Sequence, residues 1–297
     1  MNLCLGTVQF GIDYGIRGRR KPPVEESVAI LNYAVTHGVD ALDTSALYGD
    51  AEVVVGRFLE HSPIPRKNLY LVSKFGVKEF ENLSASECER RLADVAKRSL
   101  ERIGSDYLDA YICHVADAVR DPRIIRAMVG LKGSGITQRV GFSVYEIADA
   151  EMAIKTGEVD FLQLPLSILD QRMAQSGILD FAAEHKTILH ARSVYVQGLA
   201  LMQSDEVPDY LCGIRPKIAE LERLCADTGV SRRALALAFV RRFGQISNVV
   251  IGVHDMQQLV ENIDSFGRQV PSDVIDAACR IFSDVDSVLV MPNKWRR

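Results

Sequence analysis

Four polar side chains of complementary chemistry follow three short apolar runs of the sequence. Asp43, Lys74 and His114 each close a run that is typical of a β-strand, and Tyr48 follows Asp43 within one short loop. A tyrosine hydroxyl titrates near pH ~10, but a neighbouring ammonium group stabilises the phenolate and lowers its pKa. An aspartate holds that ammonium charged, and a histidine can bind a carbonyl oxygen beside the hydroxyl. Together the four suit protonation of a carbonyl oxygen while a hydride reaches its carbon.

Taken singly, these residues also have structural explanations. Charged residues such as Lys74 commonly close strands because the chain returns to water there. A lone His114 fits a hydrogen-bonded core histidine, and a lone Tyr48 fits a packed aromatic with its hydroxyl at the rim. The catalytic interpretation therefore depends on a fold that brings all four to one place.

The elements that would position them alternate between short apolar runs and longer segments of helical periodicity. Segments such as Glu25–His37, Glu87–Ile103 and Arg233–Phe243 place apolar residues on one face, as amphipathic helices do. Ser84 or Ser86 is expected to cap the second of these helices, and Gly104 to end it. Eight runs are interpreted as strands: Leu3–Thr7, Ala41–Thr44, Tyr70–Ser73, Leu108–Cys113, Arg139–Phe142, Phe161–Leu164, Ile188–Ala191 and Val249–Ile251.

Eight strands that alternate with helices predict a parallel sheet covered by helices, either a closed barrel or an open doubly wound sheet. An open dinucleotide-binding sheet requires G-x-G-x-x-G after its first strand, and the segment Gly6–Gly11 lacks that spacing. No linker or composition break divides the chain. We therefore predict one (β/α)8 TIM-barrel domain over residues 1–297, with its functional groups where the strands end.

Composition limits the class of function. The 297 residues are 47% hydrophobic and 25% charged, as in an ordinary globular protein, and the net charge of -4 offers no basic surface for nucleic acid. Six cysteines occur without a C-x-x-C pair, which indicates reduced thiols, and no metal-ligand spacing is present. Without a leader sequence or an apolar stretch of roughly 18 residues, we expect a cytoplasmic protein with no membrane partner. The sequence does not predict the oligomeric state.

The sequence resembles the aldo-keto reductase family over almost the whole chain. Leu42–Gly49 is similar to the family signature Asp-Thr-Ala-x-x-Tyr-Gly, with Ser45 where alanine is usual, and Ser99–Asp109 leads to His114 as a second signature does. The resemblance implies that Tyr48 donates the proton. It also implies that Asp43 and Lys74 tune that donor and that His114 orients the carbonyl group of a small-molecule substrate.

The resemblance further implies a nicotinamide cofactor at the strand ends. Ser143, in a G-x-S segment, matches the serine that holds the nicotinamide carboxamide, although Val144 follows it where asparagine is usual. Gln163 matches the second carboxamide ligand. Arg192 stands where an aromatic residue usually stacks on the nicotinamide, and its positive charge would disfavour the oxidised ring.

The adenosine half of the cofactor would lie after the last strand. Glu261 and Asn262 match the adenine-contacting pair of the family, while Gly252 and Gln258 replace a lysine and an arginine that bind the adenosine 2′-phosphate in many relatives. His254 is the remaining candidate cation. The resemblance favours NADPH, and the missing cations leave NADH open because they weaken selection for the phosphate. The other residues that the resemblance assigns to the cofactor are Gly6, Thr7, Asp43, Ser193, Gln197 and Gly198.

Two further classes of function remain open at this stage. Some barrels with this resemblance are cofactor-sensing regulatory subunits that keep most of the four residues, and an isomerase or lyase would use the same barrel mouth. The complete set of four favours an enzyme that reduces an aldehyde or a ketone. A short span after His114 and a short tail predict an open pocket for a polar carbonyl such as a keto-sugar. We expect this pocket to be lined by Val8, Phe10, Tyr195 and Trp295.

Overall fold

Eight parallel strands in sequential order close into a barrel in the computed structural model, which describes residues 1–295. Each strand pairs with the next, and the barrel closes where the first strand pairs with the eighth, with Gly6 opposite Gly252. The predicted (β/α)8 fold is confirmed, and residues 296–297 of the predicted domain lie outside the described part. The strands are β1 Asn2–Gly6, β2 Ala41–Asp43, β3 Tyr70–Phe75, β4 Ala110–Cys113, β5 Val140–Ser143, β6 Phe161–Pro165, β7 Ile188–Arg192 and β8 Ile246–Gly252.

Helices surround the barrel and connect its strands, and the three predicted helices are present with ends shifted by one or two residues. The α-helices of residues 1–295 are α1 Val8–Gly11, α2 Val24–Thr36, α3 Ala51–Leu59, α4 Ala85–Ile103, α5 Pro122–Gly133, α6 Ile147–Lys155, α7 Arg172–Gln175, α8 Ile178–Glu184, α9 Arg215–Thr228, α10 Arg232–Arg241, α11 Met256–Gly267, α12 Ser272–Ile281 and α13 Ser287–Val290. Ser84 caps α4 in a capping box with Glu87, and Gly104 ends the helix at a φ of 68°.

Side-chain alternation divides each strand between two apolar regions. A large cluster packs between the sheet and the helices, and a small one inside the barrel contains Val72, Ala110, Ile112 and Phe161. Lys74 lies two residues after Val72 on β3 and therefore has the same orientation, toward the barrel interior. The prediction that Lys74 closes its strand is wrong by one residue, since β3 continues to Phe75. Because the strand continues past Lys74, this side chain is only 1% exposed. At the end of the strand it would lie at the rim of the barrel.

The loop that carries Tyr48 rests directly on the backbone of α1. A Cβ atom on Gly11 would lie 1.6 Å from the Tyr48 carbonyl oxygen and 2.7 Å from the Ala51 nitrogen. Gly49 has a φ of +53°, and a Cβ atom there would lie 2.5 Å from the Gly11 carbonyl oxygen. Only glycine at both positions permits this approach, which places Tyr48 over the end of the barrel.

We predict that Gly11→Ala lowers the free energy of unfolding by at least about 2 kcal/mol, because the added methyl group must push the Tyr48 loop outward. Chemical denaturation of the variant measures this loss. The matched control is Gly130→Ala in α5, where no heavy atom lies within 4 Å of the added Cβ, and which should gain about 0.5–1 kcal/mol. Equal stability of the two variants would contradict the close packing at Gly11.

Candidate active site

The ends of β2, β3 and β4 bring the four predicted side chains together beside a cavity of about 550 Å³. Asp43 is the last residue of β2, His114 follows β4 directly, and Tyr48 lies in the loop before α3. These three line the cavity, and Lys74 lies behind them inside the barrel. The fold therefore provides the proximity that the catalytic interpretation requires.

A buried ion pair forms the base of the site. Lys74 Nζ lies 2.6 Å from Asp43 Oδ2 and donates a second hydrogen bond of 2.9 Å to the Thr44 carbonyl oxygen. The same ammonium lies 3.5 Å from the hydroxyl oxygen of Tyr48. Lys74 is thus directed at the phenol by two fixed acceptors, and its long side chain has little freedom to leave that position.

Tyr48 keeps its proton more firmly than the sequence suggested. Burial raises the pKa of the phenol above its ordinary value, the Asp43 carboxylate raises it further, and only Arg192 opposes them. Any lowering of this pKa by Lys74 is outweighed by burial and by Asp43, with which the charge of Lys74 is paired at 2.6 Å. Tyr48 is therefore a neutral hydrogen-bond donor at pH 7, which is the form that a proton donor must have.

His114 is neutral as well. Burial lowers the pKa of its imidazole to about 3, and the charges of Lys74 and Arg192 add to this effect. The ring meets the Tyr48 ring edge-on, with 5.4 Å between centroids, so both side chains face the same part of the cavity. A neutral imidazole carries one N–H, and that proton can be donated to a carbonyl oxygen only from the nitrogen that faces the cavity.

Ser45 is a site residue to which the sequence analysis assigned no role. Its hydroxyl oxygen lies 3.3 Å from His114 Nδ1 and 3.3 Å from the Lys74 carbonyl oxygen, and it accepts a hydrogen bond from the Leu47 amide. The single hydroxyl proton of Ser45 is donated either to the Lys74 carbonyl oxygen or to His114 Nδ1, and in the second arrangement the ring proton of His114 is on Nε2. The signal in the sequence was the serine at a position where the resembling family usually has alanine.

Ser143 and Gln163 are neighbours on β5 and β6. Contacts within the protein determine which of their atoms remain available as hydrogen-bond donor and acceptor. Gln163 Nε2 donates to Asp43 Oδ1, which leaves Gln163 Oε1 as an acceptor. Arg192 Nε donates to Ser143 Oγ over 3.1 Å, which leaves the serine proton for another acceptor. One donor beside one acceptor matches a primary carboxamide, so these residues fit the amide of a nicotinamide.

Arg192 is held in place over an aromatic ring. Its guanidinium donates to the Val144 carbonyl oxygen over 2.8 Å and to Ser193 Oγ over 3.1 Å, and its central carbon lies 4.0 Å from the centroid of the Tyr145 ring. The expected Arg192 side chain therefore does line the cavity, but it stacks on Tyr145. Tyr145 was not predicted as a site residue, and the sequence indicated it only by its position two residues after Ser143.

Gln163 and Arg192 line the cavity, whereas Ser143 is buried and is not among its lining residues. The other predicted cofactor residues that line it are Gly6, Ser193, Gln197, Gly198, Gly252, His254 and Gln258. Thr7 is fully buried and instead donates from Oγ1 to the Asp43 carbonyl oxygen over 3.1 Å. Asn262 is also fully buried, and both Asn262 and Glu261 bind the guanidinium of Arg233. Arg233 itself lines the cavity.

Two of the residues expected at the 2′-phosphate, Gln258 and His254, are hydrogen-bonded to each other. Gln258 Oε1 accepts from the His254 amide, and Gln258 Nε2 donates to Asp255 Oδ2 over 3.0 Å. Burial lowers the pKa of the His254 imidazole, which disfavours the positive charge expected of this residue. A cation that the sequence analysis missed, Arg19, lines the cavity and lies 3.5 Å from Asp255.

Two of the four residues expected to line the substrate pocket line the cavity. Val8 and Tyr195 line the cavity, whereas Phe10 is buried in the core between sheet and helices. Trp295 packs with Tyr210, with 6.1 Å between ring centroids.

In residues 1–295, no helix has the length and apolar character to cross a membrane. No group of three or more His, Cys, Asp or Glu side chains in that range could hold a metal ion.

Comparison with known proteins matches residues 2–281 to a family model described as the Aldo/keto reductase family. The chain is 26% identical to D-arabinose 1-dehydrogenase of Saccharomyces cerevisiae over 264 residues, which cover 82% of this chain and 76% of that protein. It is 29% identical to methylglyoxal reductase DkgB of Salmonella typhi over 183 residues, 61% of this chain and 65% of that protein, just under two thirds of its length.

Two further relatives extend the comparison. An NADH-specific methylglyoxal reductase of Escherichia coli K12 is 23% identical over 261 residues, which cover 76% of this chain and 78% of that protein. Among solved structures, the holo form of the aldo-keto reductase AKR11C1 from Bacillus halodurans superposes with a TM-score of 0.75 and 20% identity, covering 94% of this chain and 91% of that one. At that identity the superposition shows the fold alone.

Two buried histidines predict a loss of stability in acid. Burial lowers the pKa of His114 and of His190, which points into the barrel from β7, to about 3. Between pH 6.5 and 3 the unfolded chain binds these two protons and the folded chain does not, so the free energy of unfolding falls as the pH falls. Each histidine contributes up to about 1.4 kcal/mol per pH unit.

Urea denaturation between pH 8 and pH 4 measures this slope, and His190→Gln should reduce it by the share of one proton. The difference between the two proteins at pH 8, where both histidines are neutral, reports the packing effect of the substitution and serves as the internal control. An unchanged slope in the variant would show that His190 is already protonated in the folded protein.

Proposed function

The chain belongs to the aldo/keto reductase family, and we propose that it reduces an aldehyde or a ketone to an alcohol by hydride transfer from NADPH or NADH. The observation that carries this proposal is the position of Tyr48 between the ammonium of Lys74 and the ring of His114 at the cavity wall. A neutral phenol, a neutral imidazole and a buried cation there suit a carbonyl oxygen that gains a proton.

The cofactor supplies the hydride when it is bound, and the chain supplies the proton and the orientation. Tyr48 donates its hydroxyl proton to the carbonyl oxygen, and His114 binds the same oxygen through its cavity-facing N–H. The phenolate left on Tyr48 is stabilised by Lys74, which Asp43 holds in place. In this scheme Lys74 matters after the proton has left, since its charge favours the phenolate over the phenol.

Ser143 and Gln163 would hold the nicotinamide end of the cofactor. The proton of Ser143 is available for the carboxamide oxygen, and Gln163 Oε1 is available for the carboxamide N–H. Gly6, Ser193, Gln197 and Gly198 would contact the cofactor along the cavity. Glu261 and Asn262 would act through Arg233, which they bind and which faces the cavity.

The substrate proposed is a small polar carbonyl compound, such as a keto-sugar or an anionic carbonyl. The cavity lining includes Tyr48 and Tyr145, together with His114 and the cation Arg192. Such a wall offers hydrogen bonds and one positive charge to a substrate. The names of the relatives, a D-arabinose dehydrogenase and methylglyoxal reductases, support the same class.

Replacing Tyr48 by Phe tests the proposed proton donor. The variant should lose about 10²- to 10⁴-fold in kcat, because the general acid is gone, while its dissociation constant for the cofactor stays within a few fold of the wild type. Both quantities are measurable by cofactor absorbance and by fluorescence quenching. The matched control is Tyr14→Phe, a tyrosine that lines the same cavity but bonds to Gln197.

Retained turnover in Tyr48→Phe would overturn the role of Tyr48. Equal losses in both variants would point to a general effect of removing a hydroxyl. The substrates in this assay should include a sugar, a 2-oxo acid and an apolar aldehyde of similar size. A preference of the wild-type enzyme for the apolar aldehyde would contradict the proposed substrate class.

Choice between NADPH and NADH would depend on Asp255. Its carboxylate stands in the loop that would bind the adenosine half, where it disfavours a 2′-phosphate, while Arg19 at 3.5 Å offsets part of that charge. With Gly252 and Gln258 in place of the usual cations, we expect any preference for NADPH to be weak and NADH to be accepted.

Asp255→Asn should raise the affinity for NADPH relative to NADH by about 3- to 10-fold, since it removes a negative charge near the phosphate. Asparagine keeps the N-cap that Asp255 provides to α11, so the loop should stay folded. Titration of each variant with both cofactors gives the ratio. Asp286→Asn, at the N-cap of α13, is the control for an aspartate lost from a cap elsewhere. Parallel changes in both affinities would exclude a role of Asp255 in cofactor choice.

A further inference from the structure

We infer that Arg192 makes the site bind the reduced nicotinamide cofactor more tightly than the oxidised one. This inference rests on the proposed function and goes beyond it, because it assigns selection between the two redox states of the cofactor to one side chain. The property would make Arg192 a specificity-determining residue, and it adds no chemical step to the proposed reaction.

The guanidinium of Arg192 is held in place by neutral partners and, in the described part of the chain, forms no ion pair with a carboxylate. Within residues 1–295, the hydrogen-bond acceptors of its guanidinium are Ser143 Oγ, Ser193 Oγ and the Val144 carbonyl oxygen, and the Tyr145 ring lies 4.0 Å away. All four partners are neutral. Neutral partners fix the orientation of the guanidinium without cancelling its field, so the positive potential extends into the cavity that it lines.

The guanidinium lies beside the subsite proposed for the nicotinamide. It donates directly to Ser143, the hydroxyl that fits the carboxamide oxygen, and Ser143 is the strand neighbour of Gln163, which fits the carboxamide N–H. A ring held by that amide is therefore close to Arg192. Consistent with a charge that extends into the cavity, Arg192 lowers the pKa of Tyr48 and of His114, although burial is the largest influence on both.

The two redox states of the cofactor differ in the charge of the ring. The oxidised nicotinamide ring carries one positive charge, and the reduced ring is neutral. A fixed cation beside the bound ring would repel the former and leave the latter almost unaffected, while the charges on the phosphates are the same in both. In a partly buried site, repulsion between two neighbouring unit charges would change an affinity by about 10- to 100-fold.

Such selection has a direct consequence for turnover. Each reduction leaves the cofactor oxidised, and weak binding of that form speeds its exchange for the reduced form. The enzyme would then reduce its carbonyl substrate with little inhibition by excess oxidised cofactor. An aromatic side chain at position 192 would stack on either form without this discrimination.

The experiment is titration of wild type, Arg192→Gln and Arg192→Lys with the reduced and oxidised forms of NADPH and NADH, followed by protein fluorescence or calorimetry. We expect the oxidised form to bind about 10- to 100-fold more weakly in wild type, a ratio near one in Arg192→Gln, and a ratio largely retained in Arg192→Lys because the charge is kept. Arg192→Met provides a second neutral variant. The matched control is Arg19→Gln, which removes a cation from the adenosine end of the same cavity and should leave the ratio unchanged.

The outcomes separate this inference from the proposed function. A wild-type protein that binds dinucleotides with a ratio near one, or a ratio unchanged in both neutral variants, would overturn the inference and leave the proposed function intact. An Arg192→Lys variant that matches Arg192→Gln would overturn the explanation by charge. If the folded wild-type protein bound none of the four dinucleotides, the proposed function itself would fall, and the inference with it.

Discussion

The ion pair between Lys74 and Asp43 is the interaction on which the rest of the site depends. The two groups are almost fully buried and lie 2.6 Å apart, and removal of one partner from such a pair costs about 3–5 kcal/mol because the other charge is left unpaired. Asp43 also accepts from Gln163 and, through its backbone oxygen, from Thr7. One residue, Asp43, therefore connects β2, β3, β6 and the turn after β1.

This pairing shapes the electrostatics of the cavity. Burial is the largest influence on the titration of the neighbouring groups, and the charge of Lys74 adds to it at His114, so that Tyr48 stays protonated and His114 stays neutral. Arg192 has neutral hydrogen-bond partners and remains as a positive charge on the cavity wall. The nicotinamide end proposed here thus has neutral proton donors and one fixed cation, whereas an arginine and an aspartate lie close together at the other end.

Local patterns were sufficient for much of the fold. Strand alternation and helical periodicity located every strand, the Ser84 cap and the Gly104 end, because these depend on residues close in sequence. The exact end of β3 was missed, since Lys74 is stable inside a strand only when Asp43 on another strand pairs with it. The protein partners of Thr7 and Asn262, the Asp43 carbonyl oxygen and the Tyr195 hydroxyl, could not be predicted because they come from distant parts of the chain.

The sequence by itself determined the barrel, the four polar residues at its mouth and the family, because each follows from periodicity or from short motifs. Only the tertiary structure decided which neighbours each side chain meets. Ser45 reaches His114, Arg192 stacks on Tyr145, and Gln258 turns to Asp255. Charge, protonation and hydrogen-bond polarity follow from these contacts between distant elements, since electrostatic energies depend on separation in space and on burial, neither of which a linear sequence contains.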